Sequence, residues 1–264
     1  MYDFTYHRPD SLEEAASKLS GATEGKLMGG GMTLIPTLKH RLAKPSDLVD
    51  LKGISSLRGI KEDGGAIVIG AMMTHAEVAG SAVVKSKIPA LAALAESIGD
   101  PQVRNRGTIG GSIANNDPAA DYPAALVGLG ATVRTNKREI AADDFFTGLF
   151  ETALADGEIV TAVAFPVPDK AGYAKFPNPA SRYAIVGVMV AQGPGGTRVA
   201  VTGAGPCVFR DSKMEAALAN KFSADALNGS SASAEDLNSD IHASAEYRAH
   251  LIGVMAKRAV AAAD

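Results

Sequence analysis

The residues best suited to chemistry lie together in 99–121, GDPQVRNRGTIGGSIANNDPAAD. Thr108, Ser112, Asn115, Asn116 and Asp121 bring hydroxyls, amides and one carboxylate around Gly107, Gly110 and Gly111, just after Arg104 and Arg106. Glycine lets a ligand approach the main chain closely. Uncharged donors beside an isolated carboxylate suit a polyol such as a ribityl chain or a ribose, and exposed backbone N–H groups suit a pyrophosphate. The stretch fits one wall of a nucleotide site. Its alternative is a long structural Ω-loop, and the arginines suit surface or interface ion pairs as well as phosphate. A second glycine cluster, Gly29, Gly30 and Gly31 in KLMGGGMTL, stands between a strand-like run and helical spacing, where loop N–H groups can face an anion; a plain tight turn is the competing reading.

Other chemistries find little support. No Gly-Lys-Ser/Thr follows the glycines, and G-x-G-x-x-G is absent, so neither a Walker loop nor a Rossmann fingerprint is present. His7, His40, His75, His242 and His250 are scattered without metal-ligand spacing. No G-x-S-x-G occurs, and Cys207 in GAGPCVF reads as a small buried residue in an apolar strand. The carboxylate pairs Glu13–Glu14 and Asp143–Asp144 read as solvated surface groups.

Composition narrows the class. A chain of 264 residues suits two modest domains, and 46% hydrophobic residues support a globular core. A net charge of −3 without a basic block gives no electrostatic reason for a nucleic-acid partner. One cysteine excludes an internal disulfide, a cysteine zinc site and iron–sulfur ligation within the chain, and fits a cytoplasmic location. The N-terminus lacks the basic and apolar regions of a signal peptide, and no apolar run is long enough to span a bilayer.

The elements that must position these residues follow from periodicity. Strands are predicted over 2–6, 26–28, 48–51, 66–69, 131–135, 139–141 and 159–165, with a hairpin turn at Asp63-Gly64-Gly65. Helices are predicted after Ser11, over 32–42, over 75–78 behind Thr74, over 88–97 and over 123–129, with a short turn or helix over 143–150. A boundary near 166–168 divides the chain into 1–166 and 167–264. Beyond it come strands over 173–176, 185–192 and 197–202, a GPGG hairpin turn, and helices over 213–219, 234–237 and 245–262; GSSASA (229–234) reads as a surface loop.

Four segments together resemble the FAD-binding medium subunit of the molybdenum hydroxylases, the carbon-monoxide dehydrogenase and xanthine dehydrogenase family. They are KLMGGGMTLIPTLKHRLAKPSDLVDL, IGAMMTHAEV, IGDPQVRNRGTIGGSIANNDPAADYPAALVGLGATV and DIHASAEYRAHLIGVMAKRA, and they span nearly the whole chain. The resemblance implies an α+β fold: a two-part FAD-binding domain of the PCMH type, then a small α+β domain with an antiparallel sheet packed on helices. It implies that two glycine loops clamp FAD. The first is Gly29, Gly30, Gly31, Met32, Thr33 and Leu34 after Lys26, its backbone holding the pyrophosphate. The second is Thr108, Ile109, Gly110, Gly111 and Ser112, followed by Asn115 and Asp121, the latter bonding the flavin's sugar-like chain. Ile98, Ile159 and Val160 match apolar positions near the isoalloxazine ring, and Tyr183 a tyrosine beside the flavin; Lys175 is a further candidate. Met32 stands where a polar residue is common and Ser112 where Asn is frequent; both are expected to act through backbone. No His in either loop offers a covalent attachment, so non-covalent FAD is implied. Partners are implied too: a large molybdopterin subunit and a small subunit with [2Fe–2S] clusters, in a dimer of heterotrimers. The medium subunit would pass electrons to an external acceptor. Alternatives are a cofactor-free assembly subunit or a stand-alone FAD oxidoreductase of the same fold.

Overall fold

The computed structural model describes residues 1–230 and 232–263. The chain opens with β1 (Thr5–His7), α1 (Leu12–Gly21), β2 (Gly25–Met28), α2 (Leu34–Lys39) and β3 (Asp47–Asp50). Its sheet runs β1-β3-β2 with all neighbours parallel. Parallel neighbours need crossovers, which α1 and α2 supply. Ser11 starts α1 by accepting the Glu14 N–H at 3.1 Å. The loop of Gly29–Gly31 therefore leaves the carboxyl end of a parallel strand, where open sheets present their loops to ligands.

The middle of the chain comprises β4 (Ile60–Asp63), β5 (Ala66–Gly70), α3 (His75–Gly80), α4 (Ala82–Lys87), α5 (Pro89–Glu96), α6 (Pro101–Arg104), α7 (Ile109–Asn115) and α8 (Tyr122–Leu129). It continues through β6 (Thr132–Thr135), β7 (Glu139–Ala141), α9 (Ala142–Phe145), β8 (Phe146–Gly148), β9 (Glu151–Thr152) and β10 (Val160–Pro166). Five strands form an antiparallel sheet in the order β4-β5-β10-β6-β7. Helices α5 and α8 carry buried apolar residues into the core this sheet shares, Leu91, Leu94, Leu126 and Val127 among them.

The last part holds β11 (Lys170–Pro177), β12 (Ala184–Gly193), β13 (Gly196–Thr202), β14 (Phe209–Arg210), α10 (Ser212–Asn220) and α11 (Ala245–Ala261). The four strands form an antiparallel sheet in chain order. Strand β12 shows why this sheet is not a separate body. Val186, Val188 and Val190 pack into the core beneath α11, with Ile252, Met255 and Ala259. The alternate residues Met189 and Ala191, with Ala200 of β13, join the core built by α5 and α8. Side chains alternate across a strand, so one strand feeds both cores and must be apolar at nearly every position.

The α+β expectation holds, with the antiparallel C-terminal sheet packed on helices. Several local expectations do not. The 32–42 helix shortens to Leu34–Lys39, ended by Arg41 in the left-handed region (φ 59). The second glycine loop is largely the start of a helix: Thr108 caps α7, its Oγ1 accepting the Gly111 N–H at 3.1 Å. No helix forms over 234–237, where the Glu235 N–H goes to Ser233 Oγ and only one turn closes. Over 143–150 the chain is a short helix leading into β8. Cys207 lies in a loop, half-buried, with Sγ 3.7 Å from Asn116 Nδ2. The GSSASA segment is loop where described, and its Ser231 lies outside the described residues. No helix among the described residues is long and apolar enough to cross a membrane, and no group of potential metal ligands occurs among them.

Gly172 marks the closest approach of sheet and helix: a Cβ there would overlap the Ala259 carbonyl oxygen of α11. Gly172→Ala is expected to lower the unfolding free energy by about 1–3 kcal/mol, as overpacking does. A fall in the urea midpoint checks this; an unchanged midpoint contradicts it.

Candidate cofactor cleft

Three chain segments and His75 build a cleft: the 29–34 loop, the 98–121 stretch and the loop that ends at Tyr183. The first two touch through their glycines. A Cβ on Gly30 would overlap the Arg106 carbonyl oxygen. One on Gly29 would lie 2.8 Å from Thr108 Oγ1, and one on Gly111 2.9 Å from the same oxygen. Gly29 and Gly30 are thus required by close approach of the two loops, and Gly111 by the Thr108 cap within the second. Gly31 adds a positive φ of 75.

Backbone donors divide unequally between the loops. In the second loop Ile109 N–H donates to Met73 O, Gly110 N–H to Ala71 O, Gly111 N–H to Thr108 Oγ1 and Ser112 N–H to Thr108 O, at 2.9–3.1 Å. Those amides are spent inside the protein, which corrects the expectation that this loop presents free N–H groups and that Ser112 acts through backbone. In the first loop, none of the N–H groups of Gly30, Gly31, Met32 and Thr33 donates to an acceptor among the described residues. The amides left free for an anion therefore belong to the first loop, and the second offers the side chains of Ser112 and Asn115.

Asp121 closes the floor. It is only 4% exposed. Tyr173 Oη donates to its Oδ1 at 2.5 Å, and Lys175 Nζ stands 3.0 Å from Oδ1 and 3.2 Å from Oδ2. Burial pushes the Asp121 carboxyl above its usual value, while the Lys175 charge and the Tyr173 hydroxyl pull it down. Burial and the Asp121 charge push the Tyr173 phenol well up, so it stays a donor. Lys175 also donates to Ser97 O and to Arg182 O, both at 2.9 Å. One ammonium thus ties the 97–99 turn, the cleft floor and the Tyr183 loop together. In that loop Asn178 Oδ1 accepts from Ala180 and Ser181 N–H, and Arg182 takes a positive φ of 62. Tyr183 stands 45% exposed; burial, then Asp117 and Asp121, push its phenol up.

Of the residues singled out from sequence, the cleft gathers Gly29 to Leu34, Ile98, Thr108, Gly111, Ser112, Asn115, Asp121 and Tyr183. Others do not line it. Lys26 is exposed on β2. Ile109 is fully buried, and Gly110 backs onto Ala71. Ile159 packs with Val49, Leu51 and Met72, and Val160 belongs to the core under β10; both are core residues rather than cleft residues. Arg104 is turned away from phosphate duty: its Nη1 donates to Ile98 O at 3.1 Å and Gly99 O at 3.0 Å. Gly107, named from sequence, also lines it, and residues missed from sequence are His75, Gly99, Val103, Asp117, Ala120, Ser181 and Arg182. Most sit inside or beside quoted motifs, and only their direction was hidden. His75 is 5% exposed, and its N–H donates to Gly107 O at 3.0 Å. Its Nδ1 has no partner among the described residues. Burial first, and then the Arg104 charge, lower its pKa from 6.5 to about 4, so the ring is neutral.

Two family models cover this architecture. The FAD-binding domain in molybdopterin dehydrogenase matches residues 2–168, and the CO dehydrogenase flavoprotein C-terminal domain matches residues 171–263. The chain belongs to the FAD-binding medium subunits of the molybdenum hydroxylases. It is 35% identical to the carbon monoxide dehydrogenase medium chain of Hydrogenophaga pseudoflava, over 98% of this chain and 96% of that one. It is 36% identical to the nicotine 6-hydroxylase medium subunit of Paenarthrobacter nicotinovorans, over 97% and 95%. Among solved structures, reconstituted CO dehydrogenase from Oligotropha carboxidovorans superposes with a TM-score of 0.88 at 34% identity, covering 98% of this chain and 97% of that one. This medium subunit of a multi-subunit oxidoreductase takes FAD as its cofactor, and molybdopterin and iron–sulfur clusters belong to partner subunits.

The donor set fits that cofactor: free loop amides for a pyrophosphate, hydroxyl and amide side chains with one carboxylate for a polyol, and glycines that let the two loops touch. Gly30→Ala is expected to release FAD while far-ultraviolet circular dichroism stays unchanged; retained flavin absorbance after gel filtration refutes it. His75 yields a pH signature. The unfolded chain takes up a proton near pH 6.5 that the folded chain refuses until about 4. Its contribution to stability is therefore complete above pH 6.5 and lost as pH falls toward 4. His75→Phe should flatten the acid-side decline of the unfolding free energy over that window.

Proposed function

We propose that this chain holds FAD non-covalently in the cleft between its two glycine loops. There it relays electrons from the [2Fe–2S] clusters of a partner subunit to an acceptor outside the complex. The observation that carries this reading is the unshared N–H groups of Gly30 to Thr33 beside the buried Asp121 carboxylate. Bound FAD supplies a carrier that takes up and releases electrons singly or in pairs.

The chain's own residues do the rest. The amides of the first loop hold the pyrophosphate, with Thr33 adding a hydroxyl. Asp121 accepts hydrogen bonds from the sugar-like chain, and Thr108 fixes the second loop so that Ser112 and Asn115 face the ligand. Ile98 and Tyr183 give the ring an apolar and an aromatic neighbour. Lys26, Ile109, Gly110, Ile159 and Val160 act from outside the cleft, as strand and core residues that keep both loops in place. The boundary near 166–167 separates the FAD-binding part from the part that supplies Tyr183, Lys175 and Tyr173.

Assembly is proposed as a dimer of heterotrimers with a large molybdopterin subunit and a small iron–sulfur subunit, in the cytoplasm. Large exposed apolar side chains at Leu42, Leu149, Phe150 and Ile241 support contacts with other chains. The single cysteine suits a reducing compartment. The organic substrate is selected by the molybdopterin partner, so this chain alone is inert toward it.

The purified chain should be yellow and release FAD on denaturation; a colourless protein that cannot be loaded contradicts the reading. Asp121→Ala should weaken FAD retention by about 10- to 100-fold, the worth of roughly 1.5–3 kcal/mol for a hydrogen bond to a charged group. Fluorescence titration with FAD measures this, and unchanged affinity removes Asp121 from the site.

A further inference from the structure

One side chain of the cofactor cleft has no task in the relay set out above. His75, the first residue of α3, lines the cleft and is 5% exposed. Its backbone is fastened to the second glycine loop. Its N–H donates to Gly107 O, Ile109 N–H donates to Met73 O, both at 3.0 Å, and Thr74 and Thr108 pair as an antiparallel β-bridge. Thr74 is held in turn by Glu77, whose Oε2 accepts the Thr74 N–H at 2.8 Å. Arg58 pairs with Glu77 and donates to Met72 O at 2.8 Å. The imidazole is therefore placed before any ligand arrives.

Its two nitrogens differ. Nδ1 is sealed and has no partner among the described residues. Nε2 makes no hydrogen bond to those residues either, and it is the nitrogen left open to the cleft. That edge lies against Gly107: a Cβ on Gly107 would stand 2.5 Å from Nε2, and one on Gly30 would stand 2.9 Å from Gly107 Cα. Nε2 thus sits at the junction of the two loops, next to the row of free amides that begins at Gly30. On the sealed side the Tyr122 ring lies 5.4 Å away, centroid to centroid. Burial and the Asp121 charge push the Tyr122 phenol up, so its sealed hydroxyl stays a donor. A proton on Nδ1 would add a second buried donor without an acceptor, whereas a proton on Nε2 is open to a ligand.

The charge of the cleft shows what that donor is for. A pyrophosphate brings two negative charges, yet Arg182 is the one cationic side chain lining the cleft among the described residues, and its Nη1 donates to Gly99 O at 3.1 Å. Side-chain N–H donors on the lining are His75, Asn115 and Arg182. Asn115 stands at the end of α7 and Arg182 in the Tyr183 loop, which leaves His75 at the loop junction.

We propose that His75 is a binding residue for the cofactor, its imidazole donating Nε2–H to an oxygen of the pyrophosphate alongside the amides of Gly30 to Thr33. The proposal rests on the reading that this cleft holds FAD. An uncharged donor stabilises the phosphates without leaving a buried cation unpaired when the cleft is empty.

The test uses the assembled complex freed of FAD. FAD and riboflavin, which has the ring and the polyol but no phosphate, are titrated by fluorescence; ADP, which has the pyrophosphate but no flavin, is titrated by calorimetry. His75→Phe should weaken FAD and ADP by about tenfold, the size of one hydrogen bond to a charged group, and leave riboflavin at its wild-type affinity. His75→Gln, whose amide N–H can take the place of Nε2–H, should recover most of the loss. A residue that only packs the cleft wall gives equal losses for FAD and riboflavin and no recovery with Gln. Either of those results, or a Phe variant that holds FAD and ADP at wild-type strength, overturns the proposal. A wild-type complex that takes up no FAD refutes the relay reading itself, and it does so before any variant is compared.

Discussion

Asp121 sits almost wholly inside the protein, and an isolated carboxylate there would be driven to its neutral form. What meets it comes from another part of the chain: Tyr173 and Lys175 both stand on β11 and reach back to the end of the 99–121 stretch. The ammonium is itself only 8% exposed at its side chain and is saturated by Ser97 O, Arg182 O and the carboxylate. Buried ion pairs are weak contributors to net stability, because desolvation offsets attraction, but breaking one by removing a partner costs about 3–5 kcal/mol. The pair therefore acts mainly through geometry. It sets where the floor of the cleft lies, where the 97–99 turn ends and how the Tyr183 loop is held.

Around that point the two glycine loops divide the work. The second loop is anchored: its amides bond to Met73, Ala71 and Thr108, so it is a rigid wall bearing side chains. The first loop leaves its amides unshared and rests on the second through glycine contacts. A wall that is rigid and a loop that is open form a preorganised anion cradle, since ordering entropy is lost during folding rather than on binding. His75 adds no charge, because burial and Arg104 keep the ring neutral beside the cradle.

The packing of β12 explains why the two family segments work as one body. Its alternate side chains enter two different cores, one with α5 and α8 and one with α11. The loop from β11 to β12 inherits that rigidity and delivers Ser181, Arg182 and Tyr183 to the cleft. A chain built this way suits an electron relay, whose cofactor must be held still with one side accessible.

Period-2 apolar runs and glycine turns make the strands readable, Ser11 and Thr74 announce their helices, and GGGMT and TIGGS mark the two loops. Those features are local, and local backbone preference is what a sequence expresses most directly. The direction of individual side chains was not readable. Ile159 and Val160 went to the core and Arg104 to carbonyls, while His75 and Asp117, inside quoted motifs, turned toward the cleft. Nor could any spacing show that Lys175, 54 residues beyond Asp121, neutralises it. The amino-acid sequence by itself determined the family, the cofactor class and the two loops. Only the tertiary structure decided which amides stay free and which charges meet, because hydrogen-bond saturation and burial arise between segments that are distant along the chain.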